Sequence, residues 1–176
     1  MRRRRAASEA QPPGAEASLE IAARYLGTRP RSRWEVERRL RRGGAPGAII
    51  EKTLDHLAEL GLLDDLAFAR WWVEQRDRHA PRGRRLVEAE LRQHGVGRDV
   101  IELLRDELAA LEADGDLPTT EDARARIALA RHLRGRSLPE DPKALQSLGM
   151  FLMRRGFDPE TARAVLRAPE NADTDR

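Results

Sequence analysis

RPRSRWEVERRLRRGGAPGAIIEKTL, residues 29–54, has two further copies in this chain, and that repetition decides the fold. The second is APRGRRLVEAELRQHGVGRDVIELLR at 80–105 and the third is DPKALQSLGMFLMRRGFDPETARAVL at 141–166. In register, Pro30, Pro81 and Pro142 coincide, as do Val36, Val87 and Leu148, then Leu40, Leu91 and Leu152, then Gly44, Gly95 and Gly156. Self-similarity of this kind marks a repeat architecture, in which one small unit is built several times over.

Each recurring residue has a mechanical reason to recur. The fixed φ of proline cannot continue a preceding helix, so it stands before a helix start, and Ser32 with Glu35 three residues on predicts a capping box in the first copy. The glycine ends that helix, because a left-handed terminal residue costs glycine least. Between them Val36 and Leu40 lie one turn apart on one face. Burying such side chains contributes roughly 1.5 to 3 kcal/mol each.

A further helix is expected after each glycine. Its apolar stripe is Ile50, Leu54 and Leu57 in the first copy and Ile101, Leu104 and Leu108 in the second. The last copy keeps Thr161, Ala162, Val165 and Leu166 and is expected to be short. A leading helix precedes each repeated segment, at about Ser18 to Gly27, Asp65 to Arg78 and Thr120 to Arg134. Asp64 is expected to cap the second of these, with Leu63 packing forward onto Phe68 as a hydrophobic staple. Capping accounts for Asp64 and Asp65 better than metal binding does, since no further ligand stands at suitable spacing.

The expected fold is therefore all-α, with three tandem three-helix repeats stacked into an elongated, curved array of either hand. Residues 1–17 read as a disordered basic tail, 18–63 as the first repeat, 64–111 as the second, 112–119 as a linker, 120–168 as the third repeat and 169–176 as a disordered C-terminal tail. The run Arg2 to Arg5 suits an anionic partner or plain solvation.

Composition agrees with helix. Of 176 residues, 40 % are apolar, 36 % charged and only 4 % aromatic, and Ala, Leu, Arg and Glu dominate. With no cysteine, disulfides, thiolate chemistry and Cys-based zinc sites are excluded. No apolar run approaches the roughly 18 to 20 residues of a membrane span, so a cytoplasmic protein without membrane contact is expected. His56, His79, His94 and His132 share no metal-ligand spacing, and the serines have no flanking His and acid that single out a nucleophile. Gly43 and Gly83 lack the rest of any phosphate-loop pattern. Neither a catalytic residue nor a cofactor or metal is expected.

Charge is uneven along the chain. Seven arginines lie between Arg29 and Arg42 against Glu35 and Glu37, whereas Asp99 to Asp122 holds nine acids against Arg105. Trp34, Arg38 and Arg41 follow helical spacing on a face set away from Val36 and Leu40, with Arg42 beside them. Such a face suits a protein interface or stacking on unpaired bases, unless Trp34 packs against the first or third helix of its own or the next unit and the arginines are merely solvated. In the second repeat Arg70, Arg76, Arg82, Arg84, Arg85 and Arg92 cluster with few acids nearby in sequence, which predicts an anionic partner. Phe68, Trp71 and Trp72 continue through Ala69 and Val73 and read as core.

The order of PRSRWEVERRLRRGG, LAELGLLDDLAFARWWVEQR and PRGRRLVEAELRQHGV resembles the RecX regulators across about Ser18 to Arg105, and RRGFDPETARAVL carries the likeness into the third repeat. The resemblance implies a regulator that binds RecA along the groove of its filament on DNA, and a monomer is expected. It also implies restraint of RecA's ATP hydrolysis, strand exchange and stimulation of repressor cleavage. The alternative is a helical-repeat DNA-binding protein that contacts single- or double-stranded DNA through the arginine clusters.

Overall fold

A computed structural model describes residues 12–167 of the chain, and among these residues the secondary structure is entirely helical. The elements are α1 (Ala15–Leu26), α2 (Arg33–Arg42), α3 (Gly47–Glu59), α4 (Asp65–His79), α5 (Arg84–Gln93), α6 (Arg98–Ala113), α7 (Glu121–Leu133), α8 (Pro142–Arg154) and α9 (Pro159–Arg167). Two boundaries differ from expectation. Helix α1 begins at Ala15, inside the segment read as tail, because Ala, Glu and Ala extend a helix readily once a core stripe follows. Helix α6 runs to Ala113, which shortens the linker from its N-terminal side. The basic run Arg2 to Arg5 and the C-terminal tail lie outside the described residues.

The chain divides into two units, Met1–Asp65 and Leu66–Arg176. In the first unit α1, α2 and α3 enclose Ala22, Val36, Leu40, Ala45, Ile50, Leu54, Leu57 and Leu63. Helix α2 starts on the expected capping box: Ser32 Oγ accepts from the Glu35 N–H at 3.2 Å, and Glu35 Oε2 accepts from the Ser32 N–H at 3.2 Å. Leu63, expected to pack forward onto Phe68, is buried in this first core with Leu57 and its neighbours.

The second unit carries two cores. One, from α4 to α6, holds Phe68, Ala69, Val87, Leu91, Val96, Ile101 and Leu104, with Trp71 and Trp72 packed against it. The other, from α7 to α9, holds Ala125, Ala128, Leu129, Leu148, Leu152, Phe157, Ala162 and Val165. The aromatic stripe of α4 is thus core, and Trp72 packs a ring on His94 at 4.3 Å between centroids.

The three repeats end their middle helices in one way. Gly44, Gly95 and Gly156 have φ of 82°, 76° and 90°, the left-handed region that only glycine enters cheaply. The N–H of the following residue closes back on the same leucine carbonyl each time: Ala45 to Leu40 at 3.2 Å, Val96 to Leu91 at 3.0 Å and Phe157 to Leu152 at 3.3 Å. With the glycine N–H bonds to Arg41, Arg92 and Met153, these are Schellman motifs, and the pair that flanks each glycine is apolar and buried. Leu40, Leu91 and Leu152 are all 0 % exposed. The alignment read from sequence therefore describes one environment built three times.

Within the second unit the second and third repeats are joined by backbone and by buried charge. Gly83 N donates to Arg155 O at 2.9 Å, and a Cβ on Gly83 would overlap the backbone of Gly156 and Phe157. Gly83 is required for this close approach, not for a turn, since its φ of −68° is open to any residue. Arg124, only 5 % exposed, donates to both carboxylate oxygens of Asp77, at 2.6 and 3.1 Å, and contacts Glu121 at 3.4 Å. Arg131 donates to the carbonyls of His79 and Arg78, which close the C-terminal end of α4.

Candidate partner-binding surfaces

Helix α2 presents the first candidate surface. Trp34 is 38 % exposed, and the Arg38 guanidinium lies 5.0 Å from its ring centroid, a cation–π contact on the solvent side. Arg41 pairs with Glu37 one turn earlier, and Arg42 Nε donates to Arg38 O at 3.3 Å. The spacing argument held because Val36 and Leu40 face the core and leave these four side chains outside. Exposed i, i+4 pairs are worth only about 0.3 to 0.5 kcal/mol, so Arg41 remains available to a partner.

The second cluster is not what its sequence suggested. The arginines of α4 and α5 were expected to lack acids; folding supplies them. Arg70 forms a bidentate pair with Glu107, at 2.8 and 2.8 Å. Arg76 Nε donates to Glu90 Oε2 at 2.7 Å and its guanidinium lies 4.4 Å from the Trp72 ring centroid, while Arg82 pairs with the other oxygen of Glu90. Trp72 Nε1 donates to Glu90 Oε2 at 2.9 Å, so one buried carboxylate gathers two guanidinium groups and an indole. Arg84 reaches Glu112 at 3.5 Å, and Arg92 reaches Glu88 at 3.1 Å. Two of these partners, Glu107 and Glu112, lie in the acidic stretch Asp99 to Asp122, and the polarisation along the chain is partly cancelled in space. Arg85 is exposed and stands apart from these pairs.

Burial lowers the pKa of the Arg76 guanidinium below its ordinary value, and Arg82 is lowered first by burial and then by the charges of Arg76 and Arg155. Arg76 and Arg82 therefore share the Glu90 carboxylate. The carboxylate is a structural counter-charge to these two guanidinium groups.

The third repeat contributes a surface that the sequence reading passed over. His79, Arg131, His132, Arg134, Arg136 and Arg155 line a cleft of about 450 Å³ whose wall contains no carboxylate. The signal lay in RHLRGR at 131–136 and the arginine pair at 154–155, which carry charge at a helix end and a turn without forming an uninterrupted basic run. Among the described residues no group of three or more His, Asp or Glu is placed to hold a metal ion, and no helix is long and apolar enough to cross a membrane.

Tandem three-helix repeats with charged faces and ion pairs that lock repeat to repeat define a class: helical-repeat proteins that present surfaces to a macromolecular partner. The family models of the first, second and third three-helix domains of RecX match residues 19–57, 64–103 and 120–166. The chain belongs to the RecX family of regulatory proteins. It is 37 % identical over 173 residues to the regulatory protein RecX of Thermobifida fusca strain YX, covering 92 % of this chain and 88 % of that one. It is 34 % identical over 170 residues to that of Mycobacterium avium strain 104, covering 96 % and 94 %. The crystal structure of RecX from Lactobacillus salivarius superposes with a TM-score of 0.70 at 17 % identity, covering 87 % of this chain and 94 % of that one, a likeness of fold.

Proposed function

We propose that this protein is a non-enzymatic regulator that binds RecA in the groove of its filament on DNA. It restrains ATP hydrolysis, strand exchange and the stimulation of repressor cleavage, and so modulates recombinational repair and the SOS response in the cytoplasm. The observation that carries the reading is membership of the RecX family across all three domains. Several repeats on one chain allow contacts with more than one filament protomer, and linked contacts gain strength through effective concentration. The protein acts as a monomer and needs no cofactor.

The contact residues follow from what folding leaves available. Trp34, Arg38, Arg41 and Arg42 form one exposed face, and Arg85 is exposed in the second unit. Arg76 and Arg82 already engage the buried Glu90 carboxylate, which disfavours their use as phosphate contacts, whereas Arg70, Arg84 and Arg92 sit in exposed pairs like that of Arg41. A role of Arg76 or Arg82 in binding requires exchange of one anion for another.

Titration of RecA ATPase activity on single-stranded DNA tests the proposal. Hydrolysis should fall at or below equimolar protein, and the Trp34→Ala with Arg38→Ala variant should need at least tenfold more. Unchanged hydrolysis at equimolar protein sinks the reading.

A further inference from the structure

We infer that the basic cleft of the second unit is closed by the chain's own acidic segment, residues 168–176, which any other anion must displace. The contact lies within this chain and stands apart from the RecA reading above.

The cleft lacks counter-charge, unlike α4 and α5. Arg131, Arg134, Arg136 and Arg155 line it with no carboxylate in the wall, and none of the four forms an ion pair among the described residues. Their contacts hold them in place without neutralising them. Arg131 donates to the carbonyls of His79 and Arg78, Arg136 Nε donates to Leu133 O at 3.0 Å, and the Arg155 guanidinium lies 4.9 Å from the Phe151 ring centroid. Arg134 at φ 52° and Gly135 at φ 81° turn the chain sharply, which sets Arg134 and Arg136 on one wall. Cations gathered this way repel one another, and carboxylates relieve that repulsion through charge-assisted hydrogen bonds.

The acids on either side of α8 are already committed. Asp141 accepts from the Ala144 N–H at 2.9 Å and caps α8, while Asp158 accepts from the N–H groups of Glu160 and Thr161 at the start of α9. Beyond α9 the sequence runs APENADTDR, with Glu170, Asp173 and Asp175 against Arg176 and no large apolar side chain. Charge is what this segment has to offer a binding surface.

Its reach fits. Leu166, near the end of α9, stands beside Gly149 of α8, since a Cβ on Gly149 would lie 3.7 Å from Leu166 Cδ1. From Gly149 to Arg155 on the cleft wall is about 9 Å of helix. An extended chain covers roughly 3.3 to 3.6 Å per residue, so Glu170, Asp173 and Asp175 lie up to about 10, 20 and 27 Å beyond Arg167. The second and third acids reach the cleft with slack, and the first reaches its edge.

A short tether makes a weak contact sufficient. Its effective concentration is of order 1 mM, so carboxylates with only millimolar intrinsic affinity fill the cleft about half the time. The apparent affinity of an external anion falls by the fraction of molecules left open.

A dye on Thr174→Cys tests the assignment in the full chain, because no other cysteine is present and the substitution leaves every acid in place. Its anisotropy should be high at low salt and fall by at least a quarter as salt rises from about 0.05 to 0.5 M, where the screening length shortens from roughly 14 to 4 Å. Arg134→Asn, Arg136→Ala and Arg155→Gln together should give the low anisotropy at every salt concentration, with circular dichroism unchanged. Glu170→Gln, Asp173→Asn and Asp175→Asn together should do the same with the cleft intact, and should let inorganic tripolyphosphate bind at least twofold more tightly by calorimetry. A label already free at low salt, or an anisotropy that neither set of substitutions lowers, overturns the proposal. Unchanged tripolyphosphate affinity in the acid-neutralised variant overturns the blocking role. An anisotropy that rises with protein concentration over a hundredfold range overturns it in favour of contact with a second copy of the chain.

Discussion

The backbone N–H of Arg84 donates to Oε1 of Glu121 at 2.9 Å, so the first residue of α7 caps the first residue of α5 across the junction of the second and third repeats. The same construction occurs in the first unit, where the Arg33 N–H donates to Asp65 Oδ1 at 2.7 Å and Asp65 opens α4. Arg33 and Arg84 are equivalent in the repeat, and neither helix end is satisfied wholly by its own N-cap side chain. In the second unit an acid at the start of the third repeat thus completes the middle helix of the second, and both acids place negative charge at a positive dipole end.

That junction makes stability depend on pH. Burial raises the Glu121 pKa from its ordinary 4.5, against the opposing pull of the Arg84 and Arg124 contacts. The folded state then holds the proton more tightly than the unfolded one, so this group's stabilising contribution is complete below 4.5 and is lost as pH rises through the folded value. Asp158 runs the other way: hydrogen bonds led by the Thr161 N–H lower its pKa from 3.8, and its contribution is present above 3.8 and lost as pH falls. Urea unfolding beside the wild type should show the difference moving in favour of Glu121→Gln as pH rises from about 4 to 7, and against Asp158→Asn as pH rises from about 2 to 4. Parallel curves for both variants would refute this.

Gly83→Ala should destabilise the second unit. The added Cβ meets Gly156 C, Gly156 O and Phe157 N, all backbone atoms that cannot rotate away, so the two repeats must separate or distort. Overpacking of this kind costs about 1 to 3 kcal/mol. Gly47→Ala is the control, since nothing lies within 4 Å of its Cβ and it starts α3, where alanine is the better helix former. Thermal melts should separate the two, and equal melting temperatures would mean the repeats are not in backbone contact.

Glu90→Gln should be more costly than its conservative form suggests. The amide keeps an acceptor for Trp72 Nε1 but leaves Arg76 and Arg82 without their counter-charge, close to each other and partly desolvated. Removing one member of a buried pair typically costs 3 to 5 kcal/mol, and the partial exposure of both arginines points to the lower end, about 3 kcal/mol. Indole fluorescence during denaturant unfolding reads the loss directly. A variant as stable as the wild type would show that the carboxylate carries no structural charge balance.

What the sequence made legible was local. Pro30, Ser32, Leu40 and Gly44 act on the few residues beside them, through fixed φ, a cap, a buried stripe and a left-handed turn, so their recurrence could be read without knowing where the chain goes next. The arginine partners were not legible for the opposite reason. Arg76 and Glu90 are 14 residues apart, Arg70 and Glu107 are 37, and Arg124 and Asp77 are 47. An ion pair is decided by which helices pack, and the acidic stretch from Asp99 to Asp122 looked like a separate field until α6 and α7 brought its members to the arginines. Trp34 and its neighbours were placed correctly because helical spacing alone separates that face from the core. The cleft of the third repeat was missed because its arginines come from a helix, a turn and a second helix end.

Leu40→Ala, Leu91→Ala and Leu152→Ala form the most direct test of repetition. Each leucine is fully buried, and the carbonyl of each accepts the closing bond of its Schellman motif, from Ala45, Val96 and Phe157 respectively. Truncation removes the apolar partner of the residue after the glycine as well as core volume, and leaves the backbone bond unsupported. Each substitution should cost about 2 to 5 kcal/mol, the range for a leucine whose cavity cannot collapse. Leu40→Ala should cost least of the three, because its partner across the glycine is only Ala45, whereas Leu152 packs under Phe157. Chemical denaturation of the three variants should rank them Leu40, then Leu91, then Leu152, and a near-neutral result at any one would mean that copy is not built like the others.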